Sequence, residues 1–390
     1  MIQPPVFDEK NDKKHLTTSS PLPARFGVIG AGFIAGVHGL AAQAVPDQFT
    51  IVAASDANPA AAAAAAETYG WANSYGSVAE MIKAEELDGL IISTWPSTHL
   101  ELIEQCIAGG VRLVLCEKPL VLTGEQALRV WDLAAASGTT VIEAFMYRHH
   151  PAIAKIEQII ASGRLGQIDH VRASFTYFNK SMVGTKVDPN DPNRPWRYRA
   201  DQGGGALYDI GTYAVNASTH FAGAVPTRVA AFGRAKNEYG TSDKIMGLID
   251  YENEVVGLLE SSEVSDTNQE IQISGQYGTL HLPAAWNIYD ATTITVRSSI
   301  AHDYRDQSRA FQTISDTFAV PASNAFKDQL LNVANVVQGS AQPRVSLAET
   351  VINTITMEAL AVSLNEREEV DVEIPERVAT AFRQSQQLSA

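Results

Sequence analysis

Residues 25–35, RFGVIGAGFIA, run from a short apolar strand into Gly30-Ala31-Gly32-Phe33-Ile34-Ala35, and that junction constrains the fold more than any other stretch. The pattern is GxGxxA at a strand-to-helix turn. Its first glycine permits the tight turn, and its second lets a ligand phosphate approach the backbone. The third position needs only a small side chain where the helix packs on the strand. Backbone N–H groups and the helix dipole then favour an anion at the helix start. Gly30, Gly32, Phe33 and Ile34 are therefore candidate cofactor-binding residues. Such a string alone is weak, so its surroundings decide. Residues 49–56 (FTIVAASD) read as a second strand, 87–94 (LDGLIIST) as a third, 111–119 (VRLVLCEKP) as a fourth and 139–147 (TTVIEAFMY) as a fifth. Helical stretches separate them at 31–45, 58–70, 99–110 and 124–138, one built on an alanine run and others ending on glycine. Alternating strands and helices specify an α/β, doubly wound parallel sheet, the Rossmann arrangement. Uniformly apolar strands fit a sheet covered on both faces.

In that arrangement an acidic residue ending the second strand binds the ribose hydroxyls of a dinucleotide. Asp56 stands there. Its other reading is a cap for the following helix. A carboxylate repels a 2′-phosphate, and Ala57 and Asn58 supply no positive charge. NAD is thus expected over NADP, with NADP as the alternative.

At 390 residues the chain exceeds one ordinary core, so two domains are expected. The formal charge of −15 disfavours nucleic acid, whose phosphates select basic faces. Cys106 and Cys116 sit in apolar runs and read as reduced core residues of a cytoplasmic protein. No apolar run reaches the roughly 18 residues of a membrane span. The first 24 residues are polar, carry Pro4, Pro5, Pro21 and Pro23, and read as a tail or as an arm around a partner subunit. His149, His150 and His170 lack metal-ligand spacing, and no metal is expected.

After Pro151 a helix at 152–163 gives way to strands at 168–178, 227–235, 243–251, 255–263, 269–282 and 292–298. Several alternate apolar and polar residues, as in a sheet with one covered face. Short turns between consecutive strands favour antiparallel pairing. Helices are expected at 325–339 and 346–368, the second packing back on the first domain. The expected organisation is a tail or arm at 1–24, a dinucleotide-binding domain at 25–148, and a tail at 373–390. Between them, 149–372 forms an α+β domain with an open, mostly antiparallel sheet.

Ligands bind at the open ends of parallel strands, and the fourth strand ends on Glu117-Lys118-Pro119. A lysine at the tip of a buried strand needs solvent or a task. Further on, Gly203-Gly204-Gly205 precedes LYDIGTYAVNAST, a helical stretch that places Asp209 and Tyr213 one turn apart on one face. With GxGxxA at 30–35, TWPSTH at 94–99, EKP at 117–119, EAFMYRHHP at 143–151 and GGGALYDIGTYAVN at 203–216, the chain resembles the glucose–fructose oxidoreductase, inositol dehydrogenase and MocA family. Trp95 departs from the proline usual in that family.

The resemblance implies that Lys118 lies beside the nicotinamide and the substrate carbon that gives up hydride. It implies Glu117 on the cofactor side, a cis bond before Pro119, and Thr94 and His99 near the cofactor. His99 has a second reading as a helix cap. Tyr213 is expected as proton acceptor, helped by the Lys118 ammonium because a free tyrosine has a pKa near 10. Lys118 would polarise the substrate oxygen and Asp209 would bind a neighbouring hydroxyl, although Tyr213 and Lys118 can exchange roles. Arg148, Trp196 and Arg197 are weaker substrate candidates; for the last two the plain alternative is an arginine stacked on an aromatic ring. The implied function is an NAD(P)-dependent oxidoreductase acting on a hydroxyl of a sugar, inositol or related polyol, assembled as a homodimer or homotetramer through its open sheet. Two alternatives stay open: a non-catalytic dinucleotide-binding sensor, and a glycoside hydrolase that uses bound NAD.

Overall fold

The computed structural model describes residues 23–179, 187–191, 194–286, 289–299 and 313–389. The expected arm at 1–24 lies almost wholly outside the described residues, as does part of the loop ahead of the glycine triplet. Strand β1 (Ala24–Ile29) leads through the GxGxxA turn into helix α1 (Phe33–Gln43). There follow β2 (Phe49–Ser55), α2 (Pro59–Tyr69), β3 (Asn73–Tyr75), α3 (Val78–Ala84), β4 (Gly89–Ile92), α4 (Pro96–Ala108), β5 (Leu113–Cys116), α5 (Gly124–Ser137) and β6 (Thr140–Glu143). All pairings are parallel, in the order β3-β2-β1-β4-β5-β6. The order reverses between β1 and β4, and the crevice beyond their carboxyl ends is where such sheets take ligands. Strands β4 and β5 are buried at every residue.

Two elements of this half escape the sequence pattern. Edge strand β3 has three residues and α3 has seven, both too short to show a period. Local chemistry explains the longer helices. Asn58 accepts from the Ala60 N–H ahead of Pro59 at the first turn of α2, and Gly70 closes that helix at φ 72°.

The second half begins with α6 (Pro151–Ala161) and β7 (Ile168–Phe178). Helix α7 (Thr212–Ala222) is preceded by a π-helical turn over Leu207–Gly211. Strands β8 (Pro226–Arg234), β9 (Lys244–Tyr251), β10 (Val256–Ser262), β11 (Val264–Asn268), β12 (Ile271–Gly275), β13 (Thr279–Leu282), β14 (Thr292–Ser299) and β15 (Thr313–Val320) follow. Helices α8 (Ala325–Val337) and α9 (Leu347–Glu366), strand β16 (Val370–Asp371) and helix α10 (Glu376–Ser389) complete the described chain. Ten strands form one sheet, ordered β15-β14-β13-β12-β7-β10-β9-β8-β16, with β11 beside β7. Pairing is antiparallel except between β7 and β10, which run parallel. One face carries Val229, Ala231, Ile245 and Ile249 under the helices; the other exposes Phe232, Met246 and Leu248.

The late helices add two features to this picture. By length and composition α9 could cross a membrane, yet it is mostly buried inside the protein. Its Ile355 and Glu358 meet α5 at Gly124, and its Leu360 meets β9 at Gly247, so it wedges between the two halves. The stretch expected as a tail at 373–390 contains helix α10, whose Val378, Ala379 and Phe382 are buried in the core cluster shared with β4 and β5. Its apolar residues are few and spread among polar ones, which is why its pattern reads as a tail.

Candidate active site

The glycine turn is shaped for a ligand rather than for packing. Gly30 has φ +88°, and a Cβ there would lie 2.7 Å from Thr94 Cγ2. Gly32 faces open space, with no heavy atom within 4 Å of a built Cβ. It is the N-cap of α1, which has no side-chain capping bond, so first-turn N–H groups of α1 are left for an anion. Asp56 accepts from Ala31 N through Oδ2 and from Asn58 N through Oδ1, each at 2.8 Å. The cap of α2 is Asn58, so Asp56 is instead a strut between the ends of β1 and β2. An open cradle at Gly32, uncapped N–H groups and a carboxylate at the strand end together fit a dinucleotide.

A cleft of about 730 Å³ opens between the two halves. Gly32, Phe33, Ile34 and Thr94 line one side, with Trp95, Glu117 and Lys118 beside them. Trp196, Arg197, Asp209 and Tyr213 line the other. The Lys118–Pro119 bond is cis. Lys118 Nζ donates to Asp209 Oδ1 at 3.1 Å and to the Asp209 carbonyl. Arg197 Nε donates to Asp209 Oδ2 at 2.6 Å. Asp209 is 2% exposed. Burial alone would push its carboxyl pKa up, but Lys118 and Arg197 hold it below the usual range. Arg197 is also held in its charged form: burial opposes this, and Asp209 outweighs burial.

Three glycines make this arrangement possible. A Cβ on Gly204 would sit 2.6 Å from the carbonyl oxygens of both Trp196 and Arg197. The chain therefore brings the Trp196-Arg197 turn against the π-helical turn that carries Asp209. Wide turns of this kind recur at functional sites. Arg197 also lies 4.8 Å over the Trp196 ring, so both readings of the pair hold at once.

Tyr213 stands differently from expectation. It lines the cleft with its ring, 5.0 Å from Lys118 Nζ. Its hydroxyl points to Met146 Sδ at 3.6 Å. Burial first, then Glu117 and Asp209, push its pKa well above the ordinary value. Arg197 pulls the other way without restoring the ordinary value.

Two sequence candidates leave the site. Arg148 is 2% exposed and lies away from the cleft lining. It pairs with Glu349 and also binds Asn216, His220 and the Arg344 carbonyl. His99 is fully buried within α4. Its Nδ1 faces the carbonyls of Pro119 and Leu120 at 3.1 and 3.0 Å, so it neither reaches the cleft nor caps a helix. It braces the turn after Lys118. Glu143 braces the same turn, its Oε1 accepting from Leu120 N at 2.9 Å. Burial pushes its pKa up to about 8. Glu263, buried near Asp209, is likewise pushed up to about 8 by burial and then by Asp209.

Sequence reasoning also missed His38, which is fully buried and bonds Glu117, and Phe326, which lines the cleft from α8. The signal for His38 was a lone histidine in the apolar run at 33–42. Phe326 had none, since its approach depends on the tertiary fold.

Residues 24–145 match the family model described as "Oxidoreductase family, NAD-binding Rossmann fold", and 153–281 match the GFO/IDH/MocA C-terminal domain. The chain belongs to the Gfo/Idh/MocA oxidoreductase family. Among similar proteins is a D-xylose 1-dehydrogenase (NADP(+)) of Haloferax volcanii, 26% identical over 86% of this chain and 95% of its own length. A trans-1,2-dihydrobenzene-1,2-diol dehydrogenase of Oryctolagus cuniculus is 31% identical over 65% of this chain and 74% of its own length. Solved structures share the fold. A levoglucosan dehydrogenase in complex with NADH and levoglucosan superposes with a TM-score of 0.75 at 23% identity, covering 90% of this chain and 100% of that one. A 3-ketoreductase from Actinomadura kijaniata in complex with NADP and TDP-benzene gives 0.73 at 24% identity, covering 88% and 98%. As a Gfo/Idh/MocA member the chain is an oxidoreductase with an NAD(P)-binding Rossmann half.

Proposed function

We propose that this oxidoreductase oxidises a hydroxyl of a sugar, inositol or related polyol, with Lys118 as the group at the substrate oxygen. The carrying observation is the placement of Lys118 Nζ at the cleft, 3.1 Å from Asp209 Oδ1 at the end of β5. NAD, when bound, supplies the acceptor for the hydride on the carbon bearing that hydroxyl. Lys118 contacts the oxygen and stabilises the negative charge that develops there. The hydroxyl proton leaves to water through the open cleft, because Asp209, held ionised by Lys118 and Arg197, is too weak a base to keep it. Tyr213, with its hydroxyl on Met146 and its phenolate disfavoured, serves as a wall beside Lys118. Asp209 is occupied by Lys118 and Arg197, so it holds those cations rather than a substrate hydroxyl. Arg197 and Trp196 flank the substrate, the indole offering an apolar face to a sugar ring.

The same reading gives NAD preference over NADP, because Asp56 would repel a 2′-phosphate and no cation adjoins it in sequence. The exposed face with Phe232, Met246 and Leu248 is read as the surface that pairs two copies of the chain. A panel of sugars and polyols followed by NADH and NADPH absorbance tests the function. Turnover of at least one member with higher kcat/KM for NAD supports the reading. Turnover only with NADP overturns the cofactor preference, and none with either cofactor overturns the substrate class.

A further inference from the structure

Glu117 does not stand in the cleft unaided. His38 lies in the middle of α1, fully buried, and its Nε2 is 2.9 Å from Glu117 Oε1. A carboxylate only accepts, so Nε2 is the donor. The other oxygen of Glu117 is 3.3 Å from Lys118 N. The carboxylate is thus fixed from two sides, 7% exposed, on the floor of the cleft. Among the described residues His38 Nδ1 has no hydrogen-bond partner. Burying an imidazole among apolar and small residues costs free energy, and among the described residues its one polar side-chain contact is Glu117. Phe326 packs edge-on against the same ring, centroids 5.6 Å apart, and also lines the cleft.

We propose that His38 is a positioning residue for the cofactor: it holds the Glu117 carboxylate at the nicotinamide end of the cleft. This rests on the dinucleotide reading given above. The consequence is mechanical. The N-terminus of α1 faces the pyrophosphate, and one turn further along the same helix His38 sets the carboxylate next to Lys118. A single rigid element therefore registers the middle of the dinucleotide and its nicotinamide end. Phe326, arriving from α8 late in the chain, wedges the imidazole so that it stays in line.

The test is equilibrium binding of NADH and of ADP-ribose, which lacks the nicotinamide, to the wild type, His38→Leu, His38→Gln, Glu117→Gln and the His38→Leu/Glu117→Gln double variant. No substrate is needed. Removing one hydrogen bond to a charged group predicts NADH binding weakened about tenfold in His38→Leu, with ADP-ribose unchanged within about twofold. His38→Gln, which keeps a donor, recovers most of the loss. The double variant binds NADH no more weakly than Glu117→Gln alone, because the two residues act as one unit. Equal weakening of both ligands overturns the proposal, since that is what a general disturbance of α1 would produce. Unchanged NADH binding, or additive losses in the double variant, also overturns it. If His38→Leu does not fold, His38→Asn replaces it: its amide falls short of Glu117, and the same outcomes apply. A wild type that binds neither ligand overturns the dinucleotide reading itself, a result distinct from failure of His38 alone.

Discussion

Two arginine–carboxylate pairs, one lining the cleft and one buried away from its lining, do different things. Arg148 and Glu349 are each almost wholly buried; Asn216, His220 and the Arg344 carbonyl bind the same cluster, and among the described residues Arg148 Nε has no partner. Arg197 and Asp209 share the chemistry, but the arginine side chain is 45% exposed and Lys118 joins as a third member facing the cleft. The first pair ties α7 and α9 to the turn after β6 and lies off the cleft lining. The second keeps its cations poised at an opening. Motif and charge did not separate Arg148 from Arg197, because the decision rests on whether a cavity adjoins the pair.

That contrast can be broken experimentally, beginning with the largest effect. Glu349→Ala leaves Arg148 buried without its carboxylate, and breaking such a pair costs about 3–5 kcal/mol. Urea unfolding should show that loss, while kcat of the folded protein stays within about twofold. A large kcat loss with full stability would place Arg148 in the site after all. Asp209→Asn should do the reverse, lowering kcat about 10²-fold by releasing Lys118 and Arg197, with a smaller loss of stability. Arg197→Ala should raise KM for the substrate about tenfold, equivalent to about 1.4 kcal/mol of binding, and change kcat less.

The smallest effects sharpen the roles of neighbours. Tyr213→Phe should lower kcat less than about fivefold, because general acid–base residues contribute about 10²–10⁴-fold and this hydroxyl faces Met146. A loss in that larger range would return the proton to Tyr213. Glu143, raised to about 8 by burial, gives a pH test. The unfolded carboxyl ionises near 4.5 while the folded one keeps its proton to about 8, so its contribution is complete below the lower value and fades as pH rises between them. The Tm of Glu143→Gln relative to the wild type should therefore climb from pH 5 to 8 and then level off. A flat difference would show that Glu143 is already ionised.

The fold was largely legible because its strongest signals are local. The apolar strands, the glycine turn and the capped helices each follow from residues adjacent in sequence, and so does the placement of Lys118 at a strand end. What was hidden depends on distant contacts or on short elements. Asn73–Tyr75 is a strand only because β2 offers it an edge. Residues 376–389 are a docked helix only because Phe382 finds the core beside β4 and β5. The site behaves likewise. Asp209 and Tyr213 share a helix face as their spacing implies, but the direction of the Tyr213 hydroxyl is set by Met146, which lies 67 residues away in the chain. His99 and Arg148 carry motif-like surroundings, and each turned inward to satisfy backbone carbonyls or a buried carboxylate.

The central claim is that Lys118, held by Asp209, acts on the substrate oxygen. Single-turnover hydride transfer in the wild type and in Lys118→Ala, once a substrate is known, tests it most directly. The account predicts a fall of about 10²–10³-fold in the transfer rate, with ADP-ribose affinity and thermal stability near those of the wild type. A variant that transfers hydride at the wild-type rate would contradict it.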